Sequence, residues 1–488
     1  MLPLHAWAVG LANGVGLRPP MGYSSWNDCA SEVTEARIRR VARALVNTGL
    51  AAKGYTHVNV DEGWLKSRGT TTLAMEEDTA KFPSGMRALG EWVHAQEVPG
   101  AGRTLRYGLY TSRGTCQCST KQYQGPGSSG HIERDAAWMV AAGADLVKVD
   151  SCCGSQQREA AMGDYAAFRD ALNATGRPVF LAVCGWNAWY ARRGHTLGHS
   201  WRIALDGTNW GALSHCANVN ARLSKHASPG GWNDPDLLQG TGKGSNDLPS
   251  NPHGCFDPSR IPQSRDWYLS ERQVRAQMTL WAVMSAPLII SADPSQVEPS
   301  VLATWGNEEV ISVNQELRDG GPYQGHRLAG LDLHYDAALK AGSGTNVWGK
   351  PLPAGALALA FINNGPNATD VVCDRSCYGP LAGGSARAYA LRNLWARADL
   401  GAFSPPQTLV AKAVAAHGGA AMLRLTPLAA GQASSRHQQL RGGAFEWRPC
   451  REASPTGDWG GQCGGAKAVR GGSGKRRPKL RRIAEGQA

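Results

Sequence analysis

The chain has 488 residues, enough for one large domain and a smaller one around a sizeable core. Apolar residues make up 42% and charged residues 18%, and the mean hydropathy is -0.34, which excludes a largely disordered chain and a membrane bundle; the longest apolar stretch, Met278 to Ile290, is interrupted by Ser285 and Pro287. The net charge of +12 suggests an anionic partner only until it is located: the eight Lys or Arg and one Glu from Lys467 onward carry +7, leaving +5 elsewhere, and no specific nucleic-acid or membrane partner is expected.

In chain order, residues 1–13 read as an N-terminal leader segment, although Leu2 to Leu17 lacks a basic n-region and makes a poor signal peptide. After Glu32, Val33, Ile38, Val41, Leu45 and Val46 fall near i, i+3, i+4 spacing and Gly49 follows as a stop, which predicts an amphipathic helix. Strands are predicted at Pro20 to Tyr23, His57 to Val60, Arg106 to Tyr110, Leu146 to Val149, Val179 to Val183, Arg202 to Leu205, around Trp232, and at Leu288 to Ile290. Eight strands alternating with helices make residues 14–322 a (β/α)8 barrel, an α/β fold. From Tyr323 the runs at Leu357 to Ile362, Asp370 to Cys373, Ala388 to Leu394 and Ala421 to Leu425 predict an antiparallel β-sandwich over 323–430. Residues 431–488 are rich in Gly and Arg with too few apolar groups to pack, and read as a disordered basic tail.

Twelve cysteines lack zinc-like spacing, so zinc is not expected. The sequons Asn173-Ala-Thr175 and Asn367-Ala-Thr369 point to a glycoprotein of the secretory pathway, whether extracellular, cell-wall or vacuolar.

Acids follow the strands: Asp61 and Glu62, Asp150, Asp206, and Asp234 with Asp236. Strand ends of a (β/α)8 barrel converge on one mouth, so these carboxylates share a pocket. A single acid in such a place commonly caps the next helix, but here four sites lie beside Trp, Lys or Arg. Two carboxylates, one protonated as an acid and one ionised as a nucleophile, are what glycoside hydrolysis requires. Lys148, on the same strand face as Asp150, and Arg202, four residues before Asp206, can donate to hydroxyls, although either could be a purely structural ion pair. Trp26, Trp64, Trp186 and Trp232 can pack on a sugar face or simply on the core.

The segments Asn13-Gly-Val-Gly-Leu-Arg-Pro-Pro-Met-Gly-Tyr-Ser-Ser-Trp26-Asn, Tyr55-Thr-His-Val-Asn-Val-Asp-Glu-Gly-Trp64, Phe82-Pro-Ser-Gly-Met86, Tyr107-Gly-Leu-Tyr110, Lys148-Val-Asp-Ser-Cys152, Trp201-Arg-Ile-Ala-Leu-Asp206 and Pro229-Gly-Gly-Trp-Asn-Asp-Pro-Asp236 resemble the α-galactosidase (melibiase) family, glycoside hydrolase family 27. The likeness extends from Asn13 to Pro427 and includes Ala286-Pro-Leu-Ile-Ile-Ser291 and Asn393-Leu-Trp395. It implies a barrel followed by a β-sandwich, no cofactor, and a retaining exo-glycosidase acting on terminal α-galactosyl oligosaccharides or glycans. By position, Asp150 would be the nucleophile and Asp206 the acid/base. Asp61 and Glu62 would bind the 4- and 6-hydroxyls, Lys148 the 3- and 4-hydroxyls and Arg202 the 2- and 3-hydroxyl side. Trp26 would wall the pocket, and Tyr110, Cys184, Trp186 and Asp234 would complete it. A disulfide between Cys116 and Cys152 is implied as well.

Three departures matter. Glu62 stands where most relatives have Asp; being one methylene longer, its carboxylate would reach about 1.5 Å further, toward the space of a galactose C6 group, and β-L-arabinopyranose lacks that group. A β-L-arabinopyranosidase is therefore the alternative, unless Glu62 bends aside. Gly185 and Ala188 are small where a 2-acetamido group would need room, so an α-N-acetylgalactosaminidase is a further alternative, unless Trp186 or Trp189 fills the space. Gly63 occupies a usual cysteine position and leaves Cys29 without that partner, as Gly198 does Cys184, while Cys118 and Cys153 could form an extra bridge or stay reduced. From other classes, a non-catalytic sugar-binding relative would have lost an acid, and a nucleic-acid binder would act through the tail from Lys475 to Arg482.

Overall fold

The structure, a computed structural model, describes residues 13–119, 125–207, 209–241, 269–336, 339, 341–382, 388–405, 407–429 and 444–448. Residues 1–12 and almost all of the expected basic tail lie outside the described residues.

Eight short parallel strands build the first domain: β1 Met21–Ser24, β2 His57–Asn59, β3 Arg106–Ser112, β4 Leu146–Asp150, β5 Phe180–Cys184, β6 Ser200–Arg202, β7 Trp232–Asp234 and β8 Leu288–Ile290. Each pairs in parallel with its sequence neighbour from β1 to β7, β8 pairs with β1, and a parallel bridge from Leu238 to Ile290 links the segment after β7 to β8. The sheet thus returns on itself as the barrel that the alternating pattern predicts.

The helix expected after Glu32 is α1, Glu35–Asn47. Thr34 caps it by accepting from Arg37 N, and Ile38, Val41, Ala42 and Leu45 form its buried stripe. Helices α2 Met86–His94, α3 Ile132–Ala141, α4 Arg158–Ala174, α5 Trp210–Asn220, α6 Glu271–Val283, α7 Pro299–Trp305 and α8 Glu308–Gln315 follow. Strand six is a correction: expected at Arg202 to Leu205, it ends at Arg202. The ladder extends one more bond, Ile203 N to Asp234 O at 3.1 Å, and then the chain turns outward so that Leu205 is 71% exposed. Asp206 therefore sits on a loop, reaching back over the barrel mouth.

The second domain has one sheet of β9 His326–Gly330, β10 Thr345–Pro351, β11 Leu357–Asn363, β13 Tyr389–Asn393, β14 Ala398–Phe403 and β16 Gly419–Pro427, with β12 Thr369–Cys373, β15 Thr408–Val414 and β17 Phe445–Arg448 in another. The strand β17 lies beyond the expected end of the sandwich at 430; Phe445 packs edge-on to Phe361, so one apolar ring recruits a strand from a stretch expected to be unpacked. The two domains share a core. Helix α6 is buried from Ala276 to Val283 between the barrel and the sandwich, Trp395 Nε1 donates to Thr279 Oγ1 at 3.1 Å, and Trp210 Nε1 donates to Asn364 Oδ1 at 2.6 Å.

Lys350, on β10, is wholly buried and its ammonium donates to the Val313 and Asn314 carbonyls at the end of α8, at 2.5 and 3.3 Å. Burial pushes its pKa down to about 7, against the pull of Glu316. An unfolded lysine titrates near ~10.4, so between that value and about 7 the unfolded chain holds a proton that the folded chain has released, and stability must rise with pH across this window. Melting temperatures of wild type and Lys350→Met measured from pH 7 to 10 should converge or cross in the wild type's favour as pH rises. Parallel curves would refute the assignment.

Candidate functional site

The site is built from the register of the central strands. Tyr110 pairs with Lys148, and two residues further along Ser112 pairs with Asp150 and Asp150 with Cys184. With a two-residue period these side chains rise in two layers on one face, at the C-terminal mouth.

The lower layer holds a buried ion pair. Lys148 Nζ lies 2.9 and 3.2 Å from the two Asp61 carboxylate oxygens and 5.2 Å from the centroid of the Tyr110 ring. Burial would lower the lysine's pKa, but Asp61 and then Asp150 outweigh it and hold the ammonium charged. Asp61 is further fixed by Ser24 Oγ at 2.9 Å and by the Glu62 amide at 2.9 Å.

Asp150 is buried, and its Oδ1 accepts the Ser151 amide at 2.8 Å. Burial raises its pKa, opposed by Lys148 and by that amide, while the negative charges of Asp61 and Asp206 push the same way as burial. Asp206 is more open, with 56% of its side chain exposed, and Arg202 Nη2 donates to its Oδ1 at 2.9 Å. The same guanidinium nitrogen lies 2.9 Å from Asp236 Oδ2, and Arg202 Nη1 donates to the Cys184 sulfur at 3.8 Å. Arg202 Nε is buried without a partner among the described residues, as is Trp186 Nε1. Each is a donor that a ligand's oxygen could satisfy.

Of the expected residues, Asp61, Glu62, Tyr110, Lys148, Asp150, Cys184, Arg202 and Asp206 are joined by contacts or mutual charge effects. Asp234 stands one step back: its Oδ1 accepts the Asp236 amide at 2.9 Å, and Asp236 is the acid that meets Arg202. Burial pushes the Asp236 carboxyl up to about 6 despite Arg202. Trp26 opens a short helix, Trp26–Cys29, just past β1 and is half-buried. The sequence reading missed Ser24, Ser119 and Ser151; hydroxyls after strands carry too weak a signal to stand out without the pairing that the fold supplies.

Glu62 is held to the chain itself. Its carboxylate accepts from the Tyr110 hydroxyl at 3.1 Å, the Cys118 amide at 3.1 Å, the Ser119 amide at 2.7 Å and the Ser119 hydroxyl. Burial raises its pKa and the Ser119 bonds oppose the rise.

The disulfides correct the expected pairing. Cys116 is joined to Cys153 and Cys118 to Cys152, instead of Cys116 to Cys152. Two cysteines on each loop can pair either way, and the Cys118 amide bond to Glu62 draws Cys118 toward the acids; Cys118, Cys152 and Asp150 place their ligating atoms within 4.8 Å of one another. That trio has metal-like spacing, but its sulfurs are spent on each other, so it offers one carboxylate and no thiolate. Cys29 is disulfide-bonded even though position 63 is Gly. Gly63 has φ +119°, and a Cβ there would lie 2.4 Å from the Ser31 carbonyl oxygen, so this backbone requires glycine. Cys184 and Cys216 are free and buried.

The room expected beside Gly185 is also filled, though not by Trp186 or Trp189. A Cβ on Gly185 would lie 1.9 Å from the Tyr190 ring, which is 1% exposed and stacks on Trp189 with centroids 3.8 Å apart. The short 3-10 turn Ala188–Arg192 swings Tyr190 back into this place.

A family model described as alpha galactosidase A matches residues 19–247 and 249–316, and one described as the alpha galactosidase C-terminal beta sandwich domain matches residues 342–425. An alpha-galactosidase of Oryza sativa subsp. japonica is 31% identical over 421 residues, covering 85% of this chain and 86% of that protein. Two solved structures share the fold. An alpha-galactosidase of Saccharomyces cerevisiae has a TM-score of 0.70 at 23% identity, covering 86% of this chain and 100% of the other. A β-L-arabinopyranosidase of Geobacillus stearothermophilus has a TM-score of 0.64 at 20% identity, covering 85% and 98%.

Proposed function

The chain belongs to the alpha galactosidase A family of glycoside hydrolases, and on that premise we propose that it removes terminal α-D-galactosyl residues from oligosaccharides or glycans with retention of configuration. The observation that carries this reading is the pairing of two acids with two cations at one mouth: Asp150 above the Lys148–Asp61 pair, and the open Asp206 on Arg202.

In the first step Asp150 attacks the anomeric carbon while Asp206 gives its proton to the glycosidic oxygen, and the aglycone leaves as an alcohol. In the second, Asp206 takes a proton from water, the resulting hydroxide attacks the same carbon, and Asp150 is released as the carboxylate. Lys148 has three protons and its hydrogen bonds among the described residues go to Asp61, which leaves a donor for the 3- and 4-hydroxyls. Arg202 Nε and Trp186 Nε1, lacking partners among the described residues, are assigned to the sugar's 2- and 3-hydroxyl side.

Galactose is favoured over L-arabinopyranose because Glu62 spends its extra length on the loop at Cys118 and Ser119, where two backbone amides fix its carboxylate. Tyr190 against Gly185 likewise speaks against room for an acetamide. The test is kcat/KM on nitrophenyl α-galactoside, β-L-arabinopyranoside and α-N-acetylgalactosaminide, for wild type and Glu62→Asp. Galactoside should be the best substrate of both, with the galactoside to arabinopyranoside ratio changed by no more than about fivefold, the ~1 kcal/mol at the lower end of what one methylene is worth. A wild type that prefers the arabinopyranoside, with the preference reversed in Glu62→Asp, would establish the alternative.

The disulfides among Cys116, Cys118, Cys152, Cys153, Cys373 and Cys377 support an oxidising, secretory destination. Among the described residues, no helix is long and apolar enough to cross a membrane.

A further inference from the structure

The residue after the proposed nucleophile is a serine whose side chain is wholly buried and hydrogen-bonded on two sides. Ser151 Oγ accepts from Arg113 Nε at 3.0 Å and pairs with the Tyr165 hydroxyl at 3.1 Å, and the Tyr190 ring packs edge-on against Tyr165 with centroids 5.5 Å apart. A hydroxyl has one proton and two lone pairs, and these two partners fix its orientation.

Arg113 in turn is anchored from every side. Its guanidinium is buried, donating to Asp164 Oδ2 at 2.8 Å on α4 and to the Ser155 carbonyl at 2.6 Å, while its backbone amide donates to the Asp150 carbonyl at 2.9 Å. The loop from Asp150 to α4 is thus stapled to the end of β3. The Asp164 carboxylate neutralises the cation, which leaves Arg113 a geometric role and gives it little electrostatic one. Gly185 belongs to the same arrangement, since any side chain there would displace the Tyr190 ring.

We infer that Ser151 is a positioning residue for Asp150, with Arg113 and Tyr165 as the clamp that holds it. Its backbone amide pins Oδ1 of the carboxylate at 2.8 Å, which fixes the plane of the group and leaves Oδ2 to form the bond to the anomeric carbon. If the hydroxyl is lost, the amide and the carboxylate plane can rotate together, and the attacking oxygen samples unproductive directions.

The inference rests on Asp150 being the nucleophile, and the experiment separates the two. The full chain is treated with 5-fluoro-α-galactosyl fluoride, whose fluoride leaves as the nucleophile forms a long-lived glycosyl ester, and the labelled residue is located by peptide mass. Wild type should be labelled on Asp150. A label elsewhere overturns the nucleophile assignment itself. In Ser151→Ala, labelling should still fall on Asp150 but roughly 10- to 100-fold more slowly, with the Kd of the competitive inhibitor 1-deoxygalactonojirimycin within about twofold and the pH dependence of labelling unmoved. Tyr165→Phe, which removes one of the two partners and no volume, should slow labelling by a smaller factor of roughly three to ten with the same unchanged Kd. Unchanged labelling rates in both variants, or a Kd that weakens in step with the rate, would overturn the positioning role.

Discussion

Replacing Asp150 with Asn is expected to lower kcat by roughly 10³- to 10⁵-fold, because the amide cannot form the glycosyl ester that divides one difficult displacement into two easier ones. The fold should survive. Asn accepts the Ser151 amide at its carbonyl as Asp does, and the substitution removes a charge whose burial opposes its ionised form. Stability should therefore be unchanged or slightly higher, and sugar binding, measured calorimetrically with galactose, should persist. A variant that keeps more than about a tenth of wild-type kcat would remove Asp150 from the mechanism.

The second large effect is expected at Lys148. Lys148→Met leaves the Asp61 carboxylate, 2% exposed, without its counter-ion. Breaking a buried pair from one side costs ~3 to 5 kcal/mol, and because 21% of the Lys148 side chain is exposed the lower end applies. Turnover should fall too, by roughly 100-fold or more in kcat/KM, since the ammonium both offsets the burial of Asp150 and is assigned to two sugar hydroxyls. Urea unfolding separates the effects. The double variant Lys148→Met with Asp61→Asn, which no longer buries an unpaired charge, should regain most of the lost stability while remaining inactive. If the double variant is no more stable than Lys148→Met, the loss comes from packing and the ion pair is not its cause.

The barrel was legible because its strands are short apolar runs, four of them followed by acids. The helix α1 was legible because its stripe and stop signal agree, and Leu288 to Ile290 was found to the residue. Strand six was misplaced because Ile203, Ala204 and Leu205 continue an apolar run that the chain uses to turn outward; composition does not distinguish a buried leucine from an exposed one. The pocket was legible as a set of carboxylates and cations, since charges after strands are rare enough to stand out. What escaped was everything decided by one side chain meeting another. A Cys-x-Cys facing a Cys-Cys permits both pairings, and only the structure shows Cys118, whose amide donates to Glu62, joined to Cys152. Gly185 looks like empty space in the sequence and is filled by a tyrosine five residues later.

Helix α6 gives the sandwich a standing beyond that of an appended module. From Val274 to Val283 this helix is apolar or satisfied on the side that meets β11 and β16 as well as on the barrel side. Cutting the chain after the barrel would strip one face of a central helix bare and leave Thr279, Asn307 and Trp210 without the partners they find across the boundary. The catalytic half has therefore given up its independence: the sandwich cannot be deleted, nor exchanged for a foreign one, without redesigning that helix, and selection on either domain reaches through α6 into the other.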